Sequence, residues 1–196
     1  MTRLKIFDFA SIVLLITTVI ATVRNVFLPG LYTAHDSMHH FVRLYHFVYE
    51  LQHLQIPVRV ATTLANSYGY PLFNYTYSLP YMLGAIGVSL GMNYSSSLKA
   101  VIVASSLVSI IFWYAWLRRH FSVLPALLGT LLYWLVPYRF LTIFVTFQLG
   151  AIVAGAFFSL AVLGLDMLLE ARKTFDAQQR LGFALSAIGL AGVMLS

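Results

Sequence analysis

The sequence predicts an all-α, polytopic helical membrane protein. Of its 196 residues, 60% are hydrophobic and only 9% are charged, and the apolar residues gather in runs long enough to cross a bilayer. A soluble domain carries about a quarter charged residues. A chain of 22.0 kDa cannot hide this much apolar surface in a globule, because small domains leave much of their surface exposed. A soluble enzyme and a disordered chain are therefore excluded. The net charge of +6 comes from 12 Lys+Arg against 6 Asp+Glu, scattered between the apolar runs. Nucleic-acid binding needs a clustered basic face; membrane-flanking anchors explain the basicity better. With no cysteine, the chain has neither disulfides, thiolate metal sites nor a cysteine nucleophile.

In chain order, Arg3 and Lys5 precede an apolar run over residues 7–28, long enough for a hydrocarbon core of about 30 Å. The run is too long for a signal-peptide core, and Pro29-Gly30 closes it. The two basic residues place the N-terminus in the cytoplasm, and Arg24 snorkels to the outer interface. Residues 31–70 form a polar, extracytoplasmic loop with five of the six histidines. Further membrane segments are expected over 71–92, 98–117, 123–136, 141–169 and 181–196. If 71–92 crosses, Arg118-Arg119 and the Arg172, Lys173, Arg180 cluster fall outside, against the positive-inside tendency. If it dips in and returns, both become cytoplasmic. Pro71, Pro80, Gly84, Gly87 and Gly91 suit such a broken, re-entrant element. The end at Ser196, inside an apolar stretch, reads as a truncation of a longer membrane domain. There is no internal repeat, and 1–196 is expected to be a single domain.

The outer loop holds the polar chemistry. At about 100° per residue, Asp36, His39, His40, Arg43, Phe47 and Glu50 share one side of a helix. Phe41, Leu44, Tyr45, Val48 and Leu51 share the other, which predicts an amphipathic helix along the membrane interface with its polar side open to water. Two readings of the cluster stand side by side. Asp36 caps the helix and the histidines are merely solvated, or Asp36 is a general base with anion-binding support from His35, His39, His40 and Arg43. His35 and His39 have the spacing of a helical zinc pair, but no second carboxylate lies at ligand spacing. Beyond Pro57, Arg59 either holds a phosphate through its planar fork or meets lipid head groups. Tyr68 to Tyr75, with Tyr70 and Asn74, is an aromatic, turn-rich entry to the membrane. His120 beside Arg118-Arg119 is expected to be a cytoplasmic anchor, and Asp166 and Glu170 are expected to pair near Arg172 and Lys173. Pro137-Tyr138-Arg139 and Gln148 are expected as polar contacts at the outer face or along the bundle. No phosphate loop, nucleophilic serine motif or paired catalytic carboxylates are visible.

The order of His35-Asp36…His39/His40…Arg43, Gln55-Ile56-Pro57-Val58-Arg59 and Tyr68-Gly69-Tyr70-Pro71-Leu72-Phe73-Asn74-Tyr75 resembles the bacterial multispanning "6-pyruvoyl-tetrahydropterin synthase-related" membrane proteins. These in turn are similar to GT-C glycosyltransferases. The resemblance covers roughly residues 31–139. It implies a GT-C-like fold for this portion, in a bacterial cytoplasmic membrane. It further implies transfer of a sugar from a polyprenyl-phosphate donor to a cell-envelope acceptor on the outer face. In that reading Asp36 is the catalytic base and Arg59 meets the lipid-linked phosphate. His35, His39, His40, Arg43, Tyr70 and Asn74 bind substrate, and a divalent cation is the one cofactor implied. Membrane lipids and the lipid-linked sugar are the expected partners, with no nucleic acid. The soluble synthase in the family's label is a different fold, and its pterin chemistry is not carried over. The family follows its Pro-Tyr-Arg stretch with an Arg-Gly…Glu pattern; this chain has Phe147-Gln148-Leu149-Gly150-Ala151-Ile152-Val153 there, without the arginine or the carboxylate. The alternative is a non-catalytic membrane protein that binds a lipid-linked phosphate. A proton-linked transporter ranks last, because the spans hold almost no ionisable residues.

Overall fold

The computed structural model describes residues 2–170 and 177–196, with side chains from Ile6 onward. Arg172 and Lys173 and the side chains of Arg3 and Lys5 lie outside the described residues. The helices are α1 (Thr2–Thr22), α2 (Ser37–Gln52), α3 (Leu72–Tyr75), α4 (Leu79–Ser89), α5 (Tyr94–His120), α6 (Val123–Trp134), α7 (Pro137–Phe140), α8 (Leu149–Glu170) and α9 (Ala177–Leu195). A 3-10 turn, Arg24–Phe27, follows α1, and a π-helical turn, Leu141–Val145, continues α7. The described residues hold no strand, only an isolated bridge between Ala61 and Tyr70.

Two helices, α5 and α8, are long and apolar enough to cross a membrane alone. The α6 segment and the α7–π segment, bent by 46°, make a third if counted together. The chain is thus an all-helical protein with two or three membrane-spanning candidates. Of α1, the described stretch Ile6–Thr22 is a shorter apolar helix. The expected span at 181–196 falls in α9, which opens on Ala177-Gln178-Gln179-Arg180 and is not among these candidates.

Local chemistry sets the boundaries. Asn93 caps α5 by accepting from the Ser96 backbone N–H at 2.8 Å, and Arg118, Arg119 and His120 end it where cations suit the helix dipole. Pro137 stops α6, since it can neither donate the next hydrogen bond nor clear the preceding turn. Within the expected span 141–169 the helix is interrupted. The Thr146 and Gln148 N–H groups reach back to the Leu141 and Thr142 carbonyls, five and six residues away, and Phe147 sits at φ +57°. This widened turn ends one helix and lets α8 start afresh in a new direction.

Two contacts fix the relative directions of the first and longest helices. Near its start α1 presents Asp8 to Arg118 at 2.6 Å, while beyond its other end the Leu28 and Gly30 carbonyls accept from Lys99 Nζ at 2.7 Å each. Thus α1 and α5 are antiparallel, and residues 31–93 leave and return at one end of the bundle. Helix α4 has 11 residues, about 16 Å of helix, too short to cross. At the opposite end, Arg119 meets Asp166 at 2.6 Å and also Glu170, and His120 meets Asp166 at 2.8 Å. Those carboxylates therefore pair with the end of α5.

Helices α8 and α9 pack backbone to backbone. A Cβ placed on Gly164 would lie 2.3 Å from the Ser186 nitrogen, and one on Gly189 would lie 2.4 Å from the Ala161 nitrogen. With Gly182 and Ser186 these residues recur every three or four positions along α9, the small-residue stripe that lets helices approach in an apolar medium.

Candidate functional site

The loop end of the bundle is organised around α2. Its Ser37, His40, Leu44, Phe47 and Val48 are buried, in a helix packed on α4 and α5. Met38, His39, Val42 and Tyr45 face outward. This differs from the expected division, in which His40, Phe47 and Glu50 opened to water: His40 is 1% exposed and Glu50 2%. The helix is covered on two sides rather than one, so its buried sector is wide enough to take in polar residues. Each of those has a partner.

Glu50 is the anchor of the loop beyond α2. One of its oxygens accepts from both the Thr62 backbone N–H and the Thr62 hydroxyl, each at 2.6 Å; the other accepts from Gln55 Nε2 at 3.0 Å. Gln55 in turn accepts from the Arg59 and Val60 N–H groups. Removing the carboxylate with Glu50→Ala strands three donors, at a cost of about 3 kcal/mol. The loop should then open about a hundredfold more often, and tryptic cleavage after Arg59 should accelerate by about that factor. An unchanged cleavage rate would mean that the network does not hold the loop.

Asp36 lies at the start of α2, but its side chain caps nothing. Its Oδ1 is 2.8 Å from His35 Nδ1, with Asp36 about one-third and His35 four-fifths exposed. The capping role expected for Asp36 is therefore not realised. The dipeptide is held instead through its backbone: the His35 N–H donates to the Val145 carbonyl at 2.9 Å and the Asp36 N–H to the Thr146 carbonyl at 3.2 Å. The interrupted helix at 141–148 thus positions the Asp36 carboxylate, and no local pattern in the sequence announces that pairing.

Along the outward side of α2, a groove of about 540 Å³ is lined by Met38, His39, Val42, Arg43, Leu64, Tyr70 and Leu72. Arg43 stands two turns from Asp36 on the same side of α2, about 10 Å along the axis. No carboxylate pairs with its guanidinium among the described residues. Of the expected binding residues, His39, Arg43 and Tyr70 line this groove. His35 and Asp36, paired with each other, are not among the lining residues, and His40 is buried. Arg59 and Asn74 are exposed and are not among the lining residues.

His40 Nδ1 lies 2.8 Å from the Tyr81 hydroxyl, among the rings of Tyr77, Tyr81 and Phe147. Burial pushes its pKa from 6.5 down to about 4, with the Arg43 and His39 charges adding to the effect and Asp36 and the Phe147 backbone opposing it. Since the folded value is the lower one, the unfolded chain takes up the proton first as pH falls. The stabilisation is therefore complete above about pH 6.5 and is lost progressively down to about 4, at most about 3 kcal/mol. The thermal midpoint in detergent should fall across that window, and His40→Gln should flatten the fall. A slope left intact by His40→Gln would assign it to another group. Tyr77, Tyr81 and Phe147, which form this floor, were not legible as site residues. The four-residue Tyr77–Tyr81 spacing was the only available hint, and Phe147 arrives from more than a hundred residues away.

The divalent cation implied by the family resemblance is a poor fit here. Hard cations take several oxygen ligands, whereas this site offers one carboxylate with an oxygen already engaged by His35. Elsewhere, ligand atoms of His120, Asp166 and Glu170 lie within 4.8 Å of one another, but Arg119 binds both carboxylates and supplies the charge a metal would.

No family model matches the chain, and no curated protein and no solved structure matches it.

Proposed function

We propose that the chain is a GT-C-like glycosyltransferase of a bacterial cytoplasmic membrane, acting at its outer face on a polyprenyl-phosphate-linked sugar. The observation that carries this reading is a groove at the loop end lined by Arg43, a cation with no carboxylate partner among the described residues. Arg118, Arg119 and His120 are all neutralised by Asp8, Asp166 and Glu170. At the loop end, Arg24, Arg43, Arg59 and Arg139 have no carboxylate partner among the described residues, and Arg43 lines a groove along the helix that Asp36 begins. An unpaired cation lining a groove in an apolar protein suits an anionic ligand that arrives from the membrane. Asp8, and with it the N-terminal basic residues, lies at the end opposite the loop, so the positive-inside tendency assigns that end to the cytoplasm and the loop to the outside.

The chemistry follows from the placement. The donor keeps its tail in lipid and its sugar in the groove. Asp36 accepts the proton of an acceptor hydroxyl as that oxygen bonds to the anomeric carbon, and the bond from the anomeric carbon to the phosphate oxygen breaks. Arg43 steadies the negative charge that remains on the departing polyprenyl phosphate. His35 holds the orientation of the carboxylate. Arg43 takes the role that the resemblance assigned to Arg59.

The test is transfer from a labelled polyprenyl-phosphate hexose to envelope acceptors, with wild-type protein and Asp36→Asn compared in proteoliposomes. Transfer by the wild type and its loss in Asp36→Asn supports the reading. Equal transfer by both would sink it. Capture of polyprenyl phosphate that needs Arg43, without transfer by either protein, would make the chain a binding protein for lipid-linked phosphate.

A further inference from the structure

Arg139 is a second cation without a counter-charge, on the other side of the α7–π segment from the groove. The 46° bend at Pro137 opens a cavity of about 250 Å³ against α8, lined among others by Tyr133, Tyr138, Thr142, Ile152 and Gly155. A Cβ on Gly155 would lie 3.3 Å from Arg139 Nη1, so the absence of a side chain there is what admits the guanidinium. Gly155 is six residues into α8, about 9 Å from its loop-end start. The charge therefore sits below the level of the loop, beside the helix most suited to span the bilayer.

Two aromatic faces receive it, with ring centroids 4.7 Å away at Tyr133 and 5.2 Å away at Trp134. A single such contact offsets less than a charged arginine costs at the centre of a spanning helix. The guanidinium edge makes no hydrogen bond or ion pair to another described residue. Behind it, Tyr133 is fixed by Ser109 at 2.7 Å, and Ser109 bonds Ser159 and the Gly155 carbonyl, so the floor is satisfied and rigid. The site thus holds five donors in a planar fork, an open cavity, and exposed Val136 and Tyr138 at its mouth.

We infer that the Arg139 cavity binds a phosphate-bearing anion, with two phosphate oxygens taken by the guanidinium edge. Planar bidentate pairing is the interaction this fork is shaped for. The phosphate is that of a lipid or a free one. The inference does not rest on the glycosyl-transfer reading, which uses Asp36 and Arg43.

Trp134, one of three tryptophans, provides the readout. The full chain in phosphatidylcholine nanodiscs is titrated with phosphatidate in one arm and with inorganic phosphate in another, following tryptophan emission. A saturable change is expected in at least one arm, with a half-point at least tenfold higher in Arg139→Gln. Arg139→Lys keeps the charge but not the fork and should fall between the two; it also serves as the folded control. A response to phosphatidate alone assigns a lipid phosphate, and a response to inorganic phosphate assigns a soluble one. Arg43→Gln should leave the titration unchanged, which separates this site from the groove. A response identical in wild type, Arg139→Gln and Arg139→Lys overturns the inference, as does no response in either arm.

Discussion

Asp36→Asn is expected to lower the glycosyl-transfer rate by about 10²- to 10⁴-fold, the usual contribution of a positioned acid–base group. The substitution keeps the size of the side chain, and asparagine can still bond His35, so the His35-Asp36 dipeptide and its backbone bonds to Val145 and Thr146 should persist. What is lost is proton affinity. The rate should therefore fall with little change in capture of the polyprenyl phosphate, because the proposed mechanism assigns the phosphate to Arg43, which lines the groove, and not to the carboxylate. Arg43→Gln should show the converse, weaker capture first. His35→Gln, which keeps a hydrogen-bonding partner for Asp36, should cost less than Asp36→Asn. Parallel loss of capture and rate in Asp36→Asn would mean that the aspartate shapes the groove rather than taking the proton.

Gly189→Leu should prevent α9 from docking on α8. The Cβ alone would come within 2.4 Å of the Ala161 nitrogen and 2.6 Å of its Cα, and both are backbone atoms that cannot swing aside. Overpacking that side chains can absorb costs about 1–3 kcal/mol. Here the helices must separate along their whole shared stripe, since a Cβ on Gly164 would lie 2.3 Å from the Ser186 nitrogen and one on Gly182 would lie 2.9 Å from the Met167 Cβ. The loss should reach the top of that range or exceed it, and the thermal midpoint of the chain in detergent should drop accordingly. Ala187→Leu adds the same bulk on the exposed side of α9 and should change little. If the two variants melt alike, the glycine stripe is not what joins the helices. α9 depends on this contact more than α5 and α8 do, because it opens on polar residues and lacks an unbroken apolar stretch long enough to count as a spanning candidate.

Composition and runs of apolar residues were sufficient to establish a helical membrane protein. The break between the segments ending at 136 and starting at 141 was legible, as were the glycines and prolines of 71–92 as a broken element. The pairing of Arg118 with Asp8 was not legible, although each residue stands at the end of an apolar run. The site was visible in part. Asp36, His39, Arg43 and Tyr70 were picked out because polar residues are scarce in this chain, so a cluster of them stands out against the background. Glu50 and His40 were misplaced, because helical periodicity reports one boundary between apolar and polar sides, and α2 has two packing partners.

By itself, then, the sequence determined the class of protein, most of its helices and the segment that carries its polar chemistry. These depend on local composition and on the length of helix a bilayer requires. Only the tertiary structure decided that α1 and α5 run antiparallel, that Val145 and Thr146 hold the backbone of Asp36, and that Arg43 rather than Arg59 lines the groove. Those outcomes arise from contacts between residues up to 110 positions apart in the chain. They depend on which of several possible neighbours a side chain meets, and local pattern carries no record of that choice.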